Sequence, residues 1–188
     1  LYGINDKSLF SFARSKLLEL EKRHQPFFIA IQTLDTHFPH GFVAEDCPVV
    51  YQDTRDAIKC SEKTIYDFVV WMQKQAFYKE SVIIILGDHL MMSSSDIAPL
   101  LDRQPSREIY NVIIDPQNKL PHLIVKPHSQ MDWGATALDL LGIATPAKLG
   151  LGTSLLQDDK TWVETLGERK FEEEMLKKSK EYNFLLGL

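Results

Sequence analysis

The sequence predicts an α/β fold with a mostly parallel sheet flanked by helices on both faces, and three observations predict it. Residues 82–86 form an unbroken apolar run, rich in β-branched side chains and stopped by Gly87, as in a strand covered on both faces. Residues 27–33 are a second, mostly apolar strand-like segment. A helical pattern lies between them, and the order strand, helix, strand is a βαβ unit, with parallel strands and a right-handed crossover.

The elements follow in order. Asn5 and Asp6 precede a helical pattern over 7–24, with Phe10, Ala13, Leu17 and Leu20 on one face and Arg23 near its end; Gln25 and Pro26 stop it. The segment 27–33 runs into a loop at 34–41, marked by Pro39 and Gly41. Asp53 or Thr54 caps a second helix, whose stripe is Ile58, Ile65, Phe68, Val69 and Met72 and whose end is near Gln75. After the strand at 82–86, residues 91–95 are a flexible, hydroxyl-rich loop, and Asp96 caps a short helix that Pro99 limits. Residues 110–114 and 120–125 are two more predicted strands, separated by an Asp-Pro-Gln-Asn turn. Asp132 precedes a short helix at 134–141, closed by Gly142. The glycines at 150 and 152 do not follow a strand with phosphate-loop spacing, so nucleotide binding has little support. A surface helix is predicted over 161–182, with Phe171, Met175, Lys178 and Tyr182 as its stripe. No repeat or low-complexity tract interrupts the chain.

A chain of 188 residues, 44% hydrophobic and 25% charged, has the balance of one globular domain with a substantial core. A net charge of -5 and a pI near 5.7 argue against broad electrostatic binding to nucleic acid or to an anionic membrane surface. An anionic substrate must then be drawn in locally, by a metal or a few cations. No apolar stretch reaches membrane-helix length, and the N-terminus has neither an initiating Met nor a signal-peptide pattern. The chain reads as starting in mid-sequence and is expected to be a piece of a longer protein. Its two cysteines, Cys47 and Cys60, fit neither a CxxC pair nor a Cys-rich zinc site, and spacing alone leaves a disulfide and two buried thiols equally open.

The chemistry concentrates at Gly87-Asp88-His89. Gly87 frees the backbone to turn, so Asp88 and His89 leave the sheet at the edge where open α/β folds place their sites. A carboxylate oxygen with a neutral imidazole nitrogen suits zinc or manganese. If the two strands are parallel, the loop holding His37 and His40 emerges at that same edge. Such a constellation fits metal-assisted transfer or hydrolysis at phosphorus or sulfur, with Asp88 and His89 holding the ion and His37 and His40 meeting the anionic oxygens or the leaving group. Plainer readings compete: a polar strand cap for Asp88 and His89, and for His37 a histidine bonded to its own loop. His128 reads as a solvated loop histidine, and His24 and His122 as structural. A nucleophile is not evident, because neither Cys47 nor Cys60 is followed by Pro and Arg in the sulfatase manner.

These residues carry a family resemblance. Thr33-Leu34-Asp35-Thr36-His37-Phe38-Pro39-His40-Gly41-Phe42, Cys60-Ser61-Glu62, Leu86-Gly87-Asp88-His89-Leu90-Met91, Met131-Asp132-Trp133-Gly134-Ala135-Thr136-Ala137-Leu138-Asp139 and Leu149-Gly150-Leu151-Gly152 resemble the C-terminal half of the catalytic domain of bacterial phosphoglycerol transferases that modify periplasmic glucans. That family is similar to the lipoteichoic acid synthases and belongs to the alkaline phosphatase and sulfatase superfamily. The resemblance implies an incomplete fold of that type, with residues 1–156 the C-terminal part of the catalytic domain; the tail at 157–188 carries no resemblance and reads, from its helical pattern, as an extension packed on it. It implies that Asp88 and His89 bind a divalent ion, manganese foremost, with zinc, magnesium or calcium as alternatives, and that His37 contacts the phosphoglycerol group; His40 is the weaker substrate contact. The nucleophilic Thr and a metal-binding Glu are implied to lie upstream of Leu1. The implied reaction moves phosphoglycerol from a phosphatidylglycerol-type lipid to a glucan through the Thr. The implied partners are that lipid, the glucan acceptor and the upstream half of the same protein, at the periplasmic face of the inner membrane, with membrane attachment through absent N-terminal segments. That location moves Cys47 and Cys60 toward a disulfide. A sulfatase or phosphodiesterase passing the group to water is one alternative; an inactive binding or scaffold module is another.

Overall fold

The computed structural model describes residues 3–103, 107–117, 119–120, 123–144, 146 and 148–187. The chain divides into two compact units, Leu1–Gln117 and Asn118–Leu188.

The first unit is built on two long helices. In α1 (Asp6–Glu21) the Asn5 side chain caps the start by accepting from the Ser8 N–H, and Phe10, Ala13 and Leu17, spaced at three and four residues, are buried. In α2 (Thr54–Met72) Asp53 is the N-cap, accepting from the Arg55 N–H, and Phe68 and Met72 face α1. Phe10 and Phe68 meet at 4.6 Å between ring centroids, and Trp71 stacks on Phe68 at 5.6 Å. Cys47 and Cys60 form a disulfide with Cα atoms 5.9 Å apart, stapling the loop ahead of α2 to that helix. A bridge across 13 positions stabilises by roughly 3 kcal/mol in the chain-entropy account.

The sheet departs from expectation. Among the described residues it has two antiparallel strands, β1 (Ile83–Leu86) and β2 (Asn111–Ile114), with Ile83 opposite Ile114 and Leu86 opposite Asn111. No ladder joins β1 to residues 27–33. That segment is extended and buries alternate side chains, with Phe27, Ile29 and Ile31 packed on the α1–α2 core and Phe28 exposed. Its period-two pattern therefore reports which side chains meet the helices, and a ladder needs a neighbour the pattern does not specify. The predicted strand at 120–125 is not formed where it is described: residues 123–125 have no regular structure, and Leu123 and Val125 are exposed. His122 lies outside the described residues.

Asp96 also differs. The short helix α3 (Ala98–Leu101) has no side-chain cap, and Asp96 binds the start of α2 instead.

The second unit is organised by α4 (Asp132–Leu140), which begins two residues before the predicted start and closes at Gly142, whose φ is 69°. The predicted helix at 161–182 is three pieces: α5 (Trp162–Leu166), α6 (Glu168–Met175) and α7 (Lys180–Leu185). Gly167 breaks the first junction with φ 78° and ψ 151°, outside helical geometry, and Ser179 caps α7 afresh by accepting from the Tyr182 N–H. Thr161 and Glu164 form a reciprocal capping box at the start of α5. Among the described residues no helix is long and apolar enough to cross a membrane.

Candidate functional site

The loops that follow residues 27–33 and β1 meet in the first unit. His37, Asp88 and His89 line one cleft of about 200 Å³, flanked by Phe38, Pro39, Met91 and Met92 and by the hydroxyl-bearing Thr33, Thr36, Thr54 and Ser94. Drug-sized sites occupy roughly 300–1,000 Å³, so this cleft suits a small group. His40 is exposed on the same loop and does not line it. His24 lies exposed just past α1, with φ 49°.

Buried polar groups hold the loop at 34–41. Asp6, 1% exposed in the first turn of α1, accepts from the Leu34 N–H at 2.7 Å, the Asp35 N–H at 3.2 Å and the Ser61 hydroxyl at 3.0 Å. One carboxylate thus ties the loop to both helices. Gly41, with φ 68°, lets the loop close onto α2: a Cβ there would stand 2.5 Å from the Ala57 Cβ and 2.8 Å from the Asp35 carbonyl oxygen. Burial, then the neighbouring Asp6 carboxylate, raises the pKa of the Asp35 carboxyl.

The other wall is fixed from the start of α2. The Asp96 carboxylate accepts from the Thr54 N–H at 2.8 Å, the Thr54 hydroxyl at 2.5 Å and the Ser94 hydroxyl. The Ser94 hydroxyl first, then the Thr54 hydroxyl and N–H, hold Asp96 well below the usual carboxylate range. Nearby, Asp56 is buried and accepts from the backbone N–H groups of Val50, Tyr51 and Gln52 at 2.7 to 3.2 Å. Burial pushes its carboxyl up, and the Val50, Gln52 and Tyr51 N–H groups outweigh that, leaving it lowered.

The two lining histidines are oriented alike. His37 Nδ1 lies 2.7 Å from the Phe38 carbonyl oxygen, and His89 Nδ1 lies 2.8 Å from that of Leu90. A carbonyl only accepts, so each Nδ1 carries a proton, and in the neutral ring Nε2 keeps its lone pair. This is the arrangement of a metal-binding imidazole, with the second nitrogen bonded to backbone. His89 Nε2 stands 3.8 Å from Asp88 Oδ2, and both side chains are more than half exposed. Bonds of roughly 2.0–2.2 Å to one cation place its ligands within about 4.4 Å of each other, so both atoms can share an ion. The pair fits a divalent ion as half a shell: no group of three or more His, Cys, Asp or Glu poised for a metal occurs among the described residues.

The hydroxyls of Thr54 and Ser94 and the thioether loop at 91–92 were not legible as lining. For Met91, Met92 and Ser94 the one sequence signal is the position of 91–95 directly after Asp88-His89, and Thr54 has none.

The other motif-bearing region turns its polar groups onto one another. Asp132, 1% exposed, accepts from the Thr153 N–H at 2.8 Å, the Ser129 N–H at 2.8 Å and the Ser129 hydroxyl at 3.2 Å. The Thr136 hydroxyl accepts from the Leu155 N–H at 3.0 Å, and Ser154 donates to Asp139 at 2.6 Å. Gly152 packs so tightly that a Cβ would stand 2.0 Å from the Met131 carbonyl oxygen. His128 bonds the Lys126 carbonyl through Nδ1 at 2.8 Å and sits edge-on to Trp133.

The sulfatase family model matches residues 2–143. Phosphoglycerol transferase I of Citrobacter koseri is 31% identical over 162 residues, covering 82% of this chain and 21% of that protein. The proteins of the same name from Escherichia coli strain SMS-3-5 and from E. coli O157:H7 are each 32% identical over the same length, with the same coverage. The chain therefore spans about a fifth of the length of these curated relatives. No solved structure is a significant match. The resemblance read from the sequence holds, and the chain belongs to the sulfatase family.

Proposed function

We infer that the chain is part of a metal-dependent phosphoglycerol transferase, which moves phosphoglycerol from a phosphatidylglycerol-type lipid to a periplasmic glucan. The observation that carries this reading is the joint lining of one small cleft by Asp88, His89 and His37, with each histidine Nδ1 bonded to a backbone carbonyl. The relatives named phosphoglycerol transferase I supply the group transferred.

In this reading Asp88 and His89 hold the divalent ion, manganese foremost, and residues outside this chain complete its shell. Such an ion supplies charge to a phosphoryl oxygen and lowers the pKa of a bound nucleophile. His37 meets the phosphoryl oxygens or the leaving group, its Nε2 donating to them when it carries a proton, and His40 meets the substrate outside the cleft. A Thr beyond this chain attacks phosphorus, diacylglycerol leaves with a proton, and a glucan hydroxyl then displaces the Thr oxygen. The whole catalytic domain has a mostly parallel sheet flanked on both faces, in which the unladdered residues 27–33 find their neighbours. Residues 1–156 form its C-terminal part and 157–188 an extension, acting at the periplasmic face of the inner membrane and attached through segments outside this chain.

The test is chromatography of products from a phosphatidylglycerol analogue and a glucan, using the full-length protein and Asp88→Asn. A glucan adduct that Asp88→Asn reduces by at least about a hundredfold is expected, since even outer-shell partners of a metal are worth 10- to 100-fold. Free glycerol phosphate without adduct would assign hydrolysis instead. Unchanged activity and metal content in Asp88→Asn would leave a scaffold role.

A further inference from the structure

Large apolar side chains stand uncovered from the end of α6 through α7. Between 172 and 187 every residue whose burial is described is exposed, save the half-buried Ser179. Leu176 is 86% and Phe184 83% exposed, and Met175, Tyr182 and Leu186 are exposed with them. Single exposed apolar residues are ordinary, whereas a cluster of this kind marks a surface that something covers. The six residues of α7 are too few to hold a stable helix in water by themselves, where about 12–15 are needed.

Charge and geometry indicate the covering partner. Glu173 and Glu174 in α6 pair with Arg169 and Lys177. Lys178 and Lys180 follow, and among the described residues neither joins an ion pair. From 175 to 187 three lysines face one acid, Glu181, in a chain whose net charge is -5, so positive charge gathers where the apolar side chains do. That overall charge argues against broad attraction to an anionic surface and leaves this local one. Tyr182 and Leu186, four residues apart, share one side of α7, while Phe184 lies with Lys180 on another. A groove in a protein partner takes one apolar stripe and would leave Phe184 or the Tyr182 and Leu186 pair in water. A bilayer interface takes both, because aromatic rings sit at headgroup depth and lysine stems reach back to the phosphates.

We propose that residues 175–186 form an interfacial docking segment for an anionic phospholipid surface. Leu176, Tyr182, Phe184 and Leu186 enter the boundary between headgroups and acyl chains, and Lys178 and Lys180 meet lipid phosphates. The segment lies in the second unit, away from the residues that line the cleft, and its binding needs no ligand in the cleft.

The experiment is amide hydrogen exchange at 175–186 in the full-length protein, reconstituted with bilayers of phosphatidylglycerol and phosphatidylethanolamine or of phosphatidylcholine alone. Exchange is expected to be slower in the first by about tenfold or more, since two lysines at an anionic surface are worth about fivefold each. Lys178→Gln combined with Lys180→Gln is expected to abolish that difference, and Phe184→Ser to speed exchange about tenfold in the first bilayer. These side chains are exposed, and unchanged exchange across α4 checks that the fold is kept. Equal rates in the two bilayers overturn the proposal: if both are slow, another part of the protein covers the segment, and if both are fast, nothing does. A rate in the first bilayer that either variant leaves unchanged overturns it as well.

Discussion

The cleft of the first unit and the α4 region of the second use the same kinds of residue to opposite ends. Around α4, the Asp132 carboxylate turns inward onto backbone N–H groups, and Asp139 takes the Ser154 hydroxyl. In the cleft, Asp88 and His89 stand more than half exposed, and each imidazole bonds a neighbouring backbone carbonyl through Nδ1. Around α4 two polar atoms, Thr153 Oγ1 and Trp133 Nε1, are buried without a partner. The difference teaches that a polar motif builds structure where its donors and acceptors close on one another, and builds a site where lone pairs are oriented and left over.

If so, the largest stability effect belongs to the region without the cleft. In Gly152→Ala the new Cβ would meet backbone at 2.0 Å, so the turn at 149–152 must move off α4. A loss of about 3 kcal/mol or more is expected, read as a lower midpoint in denaturant, since clashes of this kind head the list of severe single changes. A shift under about 1 kcal/mol would mean that this contact is soft.

Gly41→Ala comes next. Its Cβ would collide with the Ala57 Cβ at 2.5 Å and must adopt φ 68°. The loop can yield more readily than a helix-backed turn, so about 1–3 kcal/mol is expected. Because the loop carries His37, phosphate binding should weaken alongside, which Gly152→Ala should not produce beyond its effect on folding.

How much of this was legible in the sequence follows from the range of each interaction. The patterns of α1, α2 and β1 were legible because capping and periodicity act over a few residues, as Asn5 with Ser8 and Phe10 with Ala13 and Leu17 show. The partner of a strand is non-local, and period two in residues 27–33 reflects packing on helices rather than a ladder. His37 and Asp88-His89 nevertheless share a cleft. The cause is a set of long-range polar ties, Asp6 to Leu34 across 28 positions and Asp96 to Thr54 across 42, and not parallel pairing. No local rule tells Asp96 to prefer a distant helix over the one it precedes. Within the tail, Gly167 is visible in the sequence, but Glu and Lys on both sides keep the helical pattern running through it.

Asp35→Asn should be small and of opposite sign. The folded protein raises the Asp35 carboxyl above its unfolded value, through burial and then Asp6, so the folded state holds that proton more tightly. The ionised form therefore costs stability above the raised folded pKa, and the cost disappears as pH falls below the unfolded value near 3.9. Replacing it with Asn is expected to gain up to about 1 kcal/mol at pH 7, with the gain fading toward pH 3. Asp56 and Asp96 are lowered on folding, so what they contribute is present above the unfolded value and lost as pH falls through their folded values. A gain from Asp35→Asn that grows on acidification would contradict this assignment.

His89→Ala sets the two regions apart most sharply, because its structural effect should be the smallest of all. The ring is 61% exposed, and its hydrogen bond to the Leu90 carbonyl joins neighbours in sequence, so removing it opens no cavity. A stability change within about 0.5 kcal/mol is expected from denaturant unfolding. Manganese affinity of the full-length protein should fall by at least about a hundredfold, measured by titration with the metal alone. The matching change on the other side, Asp132→Ala, strands the Thr153 and Ser129 N–H groups and should cost about 2–4 kcal/mol without specific loss of metal binding. If His89→Ala destabilised the fold as much as Asp132→Ala does, the imidazole would be holding structure, and the oriented lone pair beside Asp88 would lose its claim to an ion.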